Sequence, residues 1–272
     1  MSKGRGALFV QVYCIMGWCL INWKGLRPGG ISGNHARAMK TYPIFAVIED
    51  LPCMVVGGGP VGERKVRDLL EAGAQVTIVS RELTPGLAEL VHQGKIHYLK
   101  DAFRPEYLEG MVLVIGATDD REVNVKVSAA ARARNIWVNI VDAPELCTFI
   151  VPAQVRRGAL TIAISTGGTS PALARRLRED LEVQFGPEYG PYLDLLGAVR
   201  KKILETRRGH PDNAALFHRL ATAPLRSAIV QGDRVEVLRL LTEVLGTSLS
   251  PETLQELVDE TLGEPPWLLV AD

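Results

Sequence analysis

The sequence predicts an α/β protein: a doubly wound parallel-sheet domain, then a small α+β region and a helical C-terminal tail. Short apolar runs alternate with helix-patterned segments from residue 51 to residue 142. Two more apolar runs follow without a helix between them, and helix-type patterns fill the remainder. Strands that alternate with helices are joined by right-handed crossovers, which cover both faces of a parallel sheet.

The first domain, residues 39–145, is predicted to hold five strands. They are CMVVGG at 53–58, QVTIVS at 75–80, KIHYLK at 95–100, MVLVIGAT at 111–118 and IWVNIVD at 136–142. The helix after the first strand, residues 61–72, ends at Gly73, a typical left-handed cap. The next helix begins near Pro85, and Asp119 or Asp120 caps the one that runs to about Asn135.

The pattern changes after residue 145. TFIVPAQV at 148–155 and LTIAIS at 160–165 flank RRG and predict an antiparallel pair of strands. The helix that follows has Ser170 at its N-cap and Pro171 at its first position. We assign the α+β region to residues 146–205.

Residues 206–272 form the predicted helical tail. One of its helices opens with Asp233 and Glu236 as a capping box, and another opens with Ser250 and Pro251.

Composition excludes several classes of protein. The chain has 272 residues, 47% hydrophobic and 23% charged, with 31 basic and 31 acidic side chains. Nucleic-acid and membrane-surface proteins more usually carry a basic excess, so we expect neither partner. The four cysteines form no C-x-x-C pair and the five histidines show no metal-ligand spacing. We therefore expect a cytoplasmic protein without a bound metal.

The N-terminus differs from the rest of the chain. Lys3 and Arg5 precede ALFVQVYCIMGWCLINW, a marginal length for a membrane span, and no small-x-small cleavage site follows. Met39 begins the well-patterned region. We expect residues 1–38 to be a poorly ordered extension.

A glycine loop follows the first strand directly. Gly57, Gly59 and Gly62 fit G-x-G-x-x-G, in which the glycines allow a tight turn, close approach to a pyrophosphate, and close packing of helix on strand. A P-loop requires Lys and Ser/Thr after the last glycine, whereas Glu63 and Arg64 follow here. The loop therefore predicts dinucleotide binding in a Rossmann domain, against the alternative of a tight turn that binds nothing.

Other cofactor contacts are predicted along the same edge of the sheet. Pro60 and Val61 would offer backbone to the pyrophosphate, and Thr118 and Asp119 follow the fourth strand, where Asp119 has helix capping as its alternative role. The second strand ends in Ser80–Arg81–Glu82, where Glu82 suits the ribose hydroxyl of NAD and Arg81 suits the 2′-phosphate of NADP. The residues leave that choice open.

Four blocks of sequence resemble one family. They are YPIFAVIEDLPCMVVGGGPVGERKVRDLLEAGAQVTIVS, IGATDDREVN, NIVDAPELCTFIVPA and STGGTSPALARRLRE. Over residues 42–183 the chain resembles precorrin-2 dehydrogenase, the NAD-dependent module of siroheme synthase, which in some members is also a sirohydrochlorin ferrochelatase. The resemblance implies oxidation of the tetrapyrrole precorrin-2 to sirohydrochlorin with NAD as cofactor. It also implies a homodimer formed through the α+β region and, in bifunctional members, Fe²⁺ insertion.

Asp142, in NIVDAP, matches the family's acidic residue implicated in dehydrogenation and chelation. It follows the fifth strand, at the edge where ligands bind doubly wound sheets, and a carboxylate there can accept a proton from the macrocycle. The alternative is that Asp142 only caps the turn at Ala143–Pro144.

STGGTSP supplies the predicted substrate contacts, because precorrin-2 carries many carboxylates and this loop offers hydroxyls, backbone N–H groups and a helix N-terminus. We assign Thr166, Gly167, Gly168, Thr169, Ser170 and Arg175 to this role. The alternative for each arginine of this helix is a solvated side chain. For the whole chain, the alternatives are a dehydrogenase without chelatase activity and a non-catalytic NAD-sensing module.

Overall fold

The computed structural model describes residues 39–263, and the predicted extension at 1–38 lies outside them. The chain forms two compact units: one is Lys40–Val151, and the other comprises Met39 and the described residues from Pro152 onward. The predicted boundaries after residues 145 and 205 separate functional regions, and they stay a prediction.

The first unit is built on a sheet of five parallel strands, which confirms the doubly wound fold. The strands are β1 Pro52–Val56, β2 Gln75–Val79, β3 His97–Leu99, β4 Leu113–Gly116 and β5 Trp137–Ile140. Their order across the sheet is β3-β2-β1-β4-β5, and each pair is parallel. The strand order reverses between β1 and β4, which makes the crevice at their carboxyl ends the expected ligand site of this topology.

Three helices lie between the strands, and two of them begin at a capping side chain. They are α1 Pro60–Glu71, α2 Pro85–His92 and α3 Arg121–Ala133. The Thr84 side chain accepts a hydrogen bond at the start of α2, and Asp120, rather than Asp119, accepts from two N–H groups at the start of α3. Gly73 has φ +77°, as predicted for the left-handed cap after α1.

Alternate side chains of β1 enter two separate cores. Cys53 and Val55 pack in a cluster with side chains of α1 and α2. Met54 and Val56 pack in a second cluster with Val127 of α3. Since a strand projects successive side chains to opposite faces, both faces of the sheet are covered.

The second unit begins with an antiparallel pair, β6 Ala153–Arg157 and β7 Leu160–Ile164. The prediction that β6 starts at Thr148 was wrong. Thr148 instead lies beside β5, where its N–H donates to the Val138 carbonyl at 2.8 Å. Pro152 then interrupts the run, because proline has no N–H to donate to a strand ladder.

Six helices follow within the described residues. They are α4 Pro171–Gln184, α5 Tyr189–Thr206, α6 Asn213–Thr222, α7 Leu225–Val230, α8 Arg234–Leu245 and α9 Pro251–Thr261. Ser170, Asp233 and Ser250 each accept an N–H in the first turn of their helix, as predicted. Fully buried residues of α5, such as Leu195 and Val199, share one apolar core with side chains of α6 to α9.

The predicted capping box of α8 is only half formed. Asp233 accepts the Glu236 N–H at 2.9 Å, but the Glu236 carboxylate binds the Arg239 guanidinium at 2.7 Å. The charged guanidinium is a stronger partner for that carboxylate than a neutral N–H. None of the helices within residues 39–263 has the length and apolar character needed to cross a membrane.

Candidate active site

Two glycines of the G-x-G-x-x-G motif, Gly57 before α1 and Gly62 in its first turn, lie where no side chain fits. Gly57 has φ +119°, and a Cβ there would lie 2.3 Å from the Ala117 carbonyl oxygen in the loop after β4. A Cβ on Gly62 would lie 2.0 Å from the Gly57 carbonyl oxygen. The first glycine therefore lets the β1 and β4 loops touch, and the second lets α1 pack on the end of its own strand.

Gly59 is in the opposite situation. It is exposed, a Cβ on it would meet no described atom within 4 Å, and it forms the N-cap of α1 without a capping side chain. Pro60 has no N–H, so the unpaired donors of this first turn are those of Val61 and Gly62. Open space, free N–H groups and the positive end of the helix dipole together suit an anion such as a pyrophosphate.

Glu63, the acidic residue that argues against a P-loop, has its carboxylate bound by side chains of Thr84 and Arg67. The Glu63 carboxylate accepts a hydrogen bond from the Thr84 hydroxyl and pairs with Arg67 at 2.7 Å. The Thr84 hydrogen bond, followed by that from Arg67, lowers the pKa of Glu63 below its usual value. Glu63 thus links α1 to the start of α2.

The turn after β2 lies directly against the glycine loop. A Cβ on Gly58 would lie 2.0 Å from the Glu82 carbonyl oxygen and 2.8 Å from Ser80 Oγ, and the Thr84 N–H donates to the Gly58 carbonyl at 3.0 Å. Arg81 and Glu82 are both exposed. The structure therefore brings Ser80–Arg81–Glu82 next to the glycine loop.

Asp101, which was not among the predicted site residues, follows β3 at the same edge. Its carboxylate accepts a hydrogen bond from the Tyr107 hydroxyl at 2.5 Å and pairs with Arg104 at 2.8 Å. The Tyr107 bond is the main cause that lowers the pKa of Asp101, and the charges of Arg104 and Arg81 add to it. The Asp101 carboxylate is thus held by two side chains of the segment that follows β3. The sequence does hold one signal for Asp101, because this residue directly follows a predicted parallel strand.

The loop after β4 is fixed by a buried amide. Asn124 of α3 is 8% exposed, and its Nδ2 donates to the Thr118 carbonyl at 2.8 Å. The Thr118 hydroxyl accepts the Asp120 N–H at 3.2 Å, while Asp119 is exposed. Because the Ala117 carbonyl touches Gly57, Thr118 and Asp119 follow the point where the two loops meet.

Asp142 lies two residues beyond β5, exposed and with φ +58°. The Val141 N–H donates to the Gly116 carbonyl at 2.9 Å, which ties this loop to the end of β4. The 3₁₀ turn Pro144–Leu146 has Ala143 as its N-cap, and no side chain among the described residues caps it. Asp142 is therefore not that cap, and a non-glycine residue at positive φ is a local strain of the kind that functional sites hold.

The STGGTSP loop belongs to the second unit. Gly167 and Gly168 have φ +60° and +79°. The Thr166 hydroxyl accepts the Ser170 N–H at 3.2 Å and donates to the Ser170 carbonyl at 3.1 Å, so it closes the loop on itself. Ser170 caps α4, and Thr169 is exposed.

The arginines of α4 pair along their own helix. Arg175 binds Glu179 at 2.9 Å and is 77% exposed, and Arg176 pairs with Asp180 at 3.2 Å. This is the solvated arrangement that the sequence left open for them, and a substrate role for Arg175 stays a prediction. Among residues 39–263, no three side chains of His, Cys, Asp or Glu lie close enough together to hold a metal ion.

Two family models match the chain. The family described as "Putative NAD(P)-binding" matches residues 44–153, and "Sirohaem biosynthesis protein central" matches residues 157–184. The first match contains the glycine loop and Asp142, and the second contains all of α4. Residues 44–153, which hold the five-stranded sheet, are thus similar to a family described as NAD(P)-binding.

Curated relatives and one solved structure agree with these matches. The chain is 56% identical to a siroheme synthase of Methylobacillus flagellatus over 152 residues, which are 56% of this chain and 32% of the relative. It is 37% identical to that of Pseudoalteromonas translucida over 230 residues, 85% of this chain and 49% of the relative. The chain therefore spans a third to a half of these proteins.

The solved structure titled "SirC, precorrin-2 dehydrogenase" has a TM-score of 0.62 and 25% identity, and the match covers 75% of this chain and all of that one. Together with the relatives, it confirms the resemblance that the four sequence blocks carry.

Proposed function

We propose that this chain, a homologue of the dehydrogenase module of siroheme synthases, is an NAD-dependent precorrin-2 dehydrogenase. One observation supports this most directly. The exposed carboxylate of Asp142 follows a parallel strand at the same sheet edge as a glycine loop shaped for a pyrophosphate, with the β4 loop between them. A proton acceptor and a dinucleotide site are the two parts that removal of a hydride and a proton requires.

Each part of the site has a distinct role in the proposed reaction. A bound NAD would supply the hydride acceptor. The N–H groups of Val61 and Gly62 would hold its pyrophosphate, and Gly57 keeps the crevice narrow between β1 and β4. Asp142 takes the proton that leaves the substrate, so that precorrin-2 loses one hydride and one proton and becomes sirohydrochlorin.

We infer a preference for NAD over NADP from the residues at the end of β2. Glu82 is exposed there, and its carboxylate can accept a hydrogen bond from a ribose hydroxyl. Arg81 beside it is the side chain that would suit a 2′-phosphate, so the parallel assay with NADP tests this preference.

The STGGTSP loop and Arg175 form the proposed contact region for the substrate's carboxylates. Hydroxyls, backbone N–H groups and the N-terminus of α4 can neutralise part of that charge without one cation for each carboxylate. A cytoplasmic homodimer belongs to the same proposal, and sedimentation of the purified chain tests the dimer.

The test is incubation with precorrin-2 and NAD, or NADP in parallel, followed at the NADH absorption band. We expect NADH formation that is faster with NAD, and its loss in Asp142→Asn with the NAD dissociation constant unchanged. Asp50→Asn is the matched control, because Asp50 is also an exposed aspartate at positive φ, 56°. Full turnover by Asp142→Asn would refute the assigned role.

Two alternatives have separate outcomes in the same set of assays. Tight NAD binding without turnover of precorrin-2 by the native chain would indicate the NAD-sensing module. Ferrochelation is the second activity that the resemblance implies, with Fe²⁺ as a substrate. Sirohydrochlorin and Fe²⁺ are mixed with and without the protein, and no acceleration over the spontaneous rate would leave a dehydrogenase alone.

A further inference from the structure

The loop that carries Asp142 is held by side chains from α3. Ser128 is 2% exposed, and its hydroxyl donates to the Leu146 carbonyl at 2.7 Å. Leu146 belongs to the loop that carries Asp142, and this loop returns to the side of β5 at Thr148. A buried hydroxyl with a backbone carbonyl as partner fixes the loop more tightly than a solvent-exposed bond would.

Arg132 lies one turn further along α3 and reaches the same loop. Its Nη2 donates to the Cys147 carbonyl at 2.8 Å and lies 3.4 Å from the Glu145 carbonyl oxygen. Its Nε donates to Ser128 Oγ at 3.3 Å. Ser128 and Arg132, here named the α3 clasp, thus take three consecutive carbonyls of the loop.

Cys147 connects the clasped segment to the residues around Asp142. Its sulfur accepts the Ile140 N–H at 3.1 Å, and its S–H can donate to the carbonyl oxygen of Ala143 at 3.3 Å or of Ile140 at 3.4 Å. Ile140 and Ala143 flank Val141 and Asp142 in the chain. The clasp therefore fixes the Cys147 backbone, and the Cys147 thiol contacts both ends of the turn in which Asp142 has its positive φ.

We propose that Ser128 and Arg132 are positioning residues for Asp142: they set where the carboxylate lies at the sheet edge without touching substrate or cofactor. The inference rests on the proposed function. The glycine loop makes none of the clasp's hydrogen bonds, so we expect NAD binding to be unaffected by changes in the clasp. A carboxylate displaced by about 1 Å can cost roughly 100-fold in rate.

The test compares Arg132→Ala and Arg132→Lys with Arg134→Ala. Arg134 is the matched control, because its guanidinium donates to the Ala130 carbonyl of its own helix at 3.1 Å and not to the loop. We expect Arg132→Ala to lower kcat roughly 10- to 100-fold with the NAD dissociation constant changed by less than about 2-fold. Arg132→Lys should recover part of kcat, since an ammonium can replace one of the donors.

Equal kcat in Arg132→Ala and the native chain would overturn the inference. So would parallel losses of kcat and NAD affinity, or Arg132→Lys no better than Arg132→Ala, because either result describes a merely structural side chain. The Asp142→Asn variant distinguishes failure of the clasp inference from failure of the proposed function. If Asp142→Asn is fully active, the proposed role of Asp142 fails and the clasp fails with it. If Asp142→Asn is inactive and Arg132→Ala is not impaired, only the clasp is wrong.

Discussion

Replacing Gly59 with alanine should weaken NAD binding while leaving the fold nearly intact. Gly59 has φ −81° and ψ −176°, which any residue adopts, and a Cβ would meet no described atom within 4 Å. The folding cost is limited to the poorer N-cap that alanine makes, about 1 kcal/mol. For a protein of this size that lowers Tm by roughly 2–4 °C.

The same methyl group would occupy the space through which a pyrophosphate approaches the first turn of α1. A hydrogen bond to a charged group contributes about 1.5–3 kcal/mol, so loss of one raises the NAD dissociation constant about 10- to 100-fold. Gly62→Ala should behave differently. Its Cβ would lie 2.0 Å from the Gly57 carbonyl oxygen, so the backbone must move and Tm should fall further.

The assay is titration of each variant with NAD by calorimetry, together with thermal unfolding without ligand. Gly197→Ala is the control for adding a methyl group in open space, because a Cβ on this glycine of α5 also meets no described atom within 4 Å. It should leave NAD affinity unchanged. NAD affinity of Gly59→Ala within about 2-fold of the native value would refute pyrophosphate binding at this loop.

Two further predictions concern ionisable groups. Because the folded-state pKa of Glu63 lies below its unfolded value, its bonds stabilise the fold above about pH 4.3 and are lost as pH falls through the folded-state pKa. The native chain should therefore lose more Tm than Glu63→Gln between pH 6 and pH 3, and equal losses in differential scanning calorimetry would contradict this. Burial raises the pKa of Cys53 to about 11, so mass spectrometry should find Cys53 unalkylated by iodoacetamide at pH 8 until the protein unfolds. Labelling of Cys53 in the native protein would show that β1 is accessible.

The parallel sheet could be predicted because its signals are local. Each strand is a short apolar run followed by glycine or a capping residue, and such patterns need no knowledge of distant contacts. The predicted ends of the strands were less accurate. KIHYLK forms a strand only over His97–Leu99, because β3 is an edge strand that pairs with β2 over three residues. Tertiary pairing, rather than the sequence of the run, decides where such a strand ends.

The glycine loop was also predictable, since the three glycines act within one strand–helix unit. The α3 clasp could not be predicted, because its partners are remote in sequence and carry no pattern of their own. Ser128 and Arg132 have helical spacing on α3, but what they bind is a set of backbone carbonyls after β5. Any residue type supplies a carbonyl, so no sequence motif marks that side of the contact.

The position of Asp142 therefore has two independent physical causes. Backbone hydrogen bonds at the strand ends, such as those from the Ala117 N–H to Val56 and from the Val141 N–H to Gly116, align the loops of β1, β4 and β5. Side chains of α3 then set the shape of the last loop. Since the first cause is shared with the glycine loop and the second is not, changes at the strand ends should alter cofactor binding and rate together. Changes at the clasp should alter the rate alone, and this difference in kinetic effect distinguishes alignment of the edge from positioning of the carboxylate.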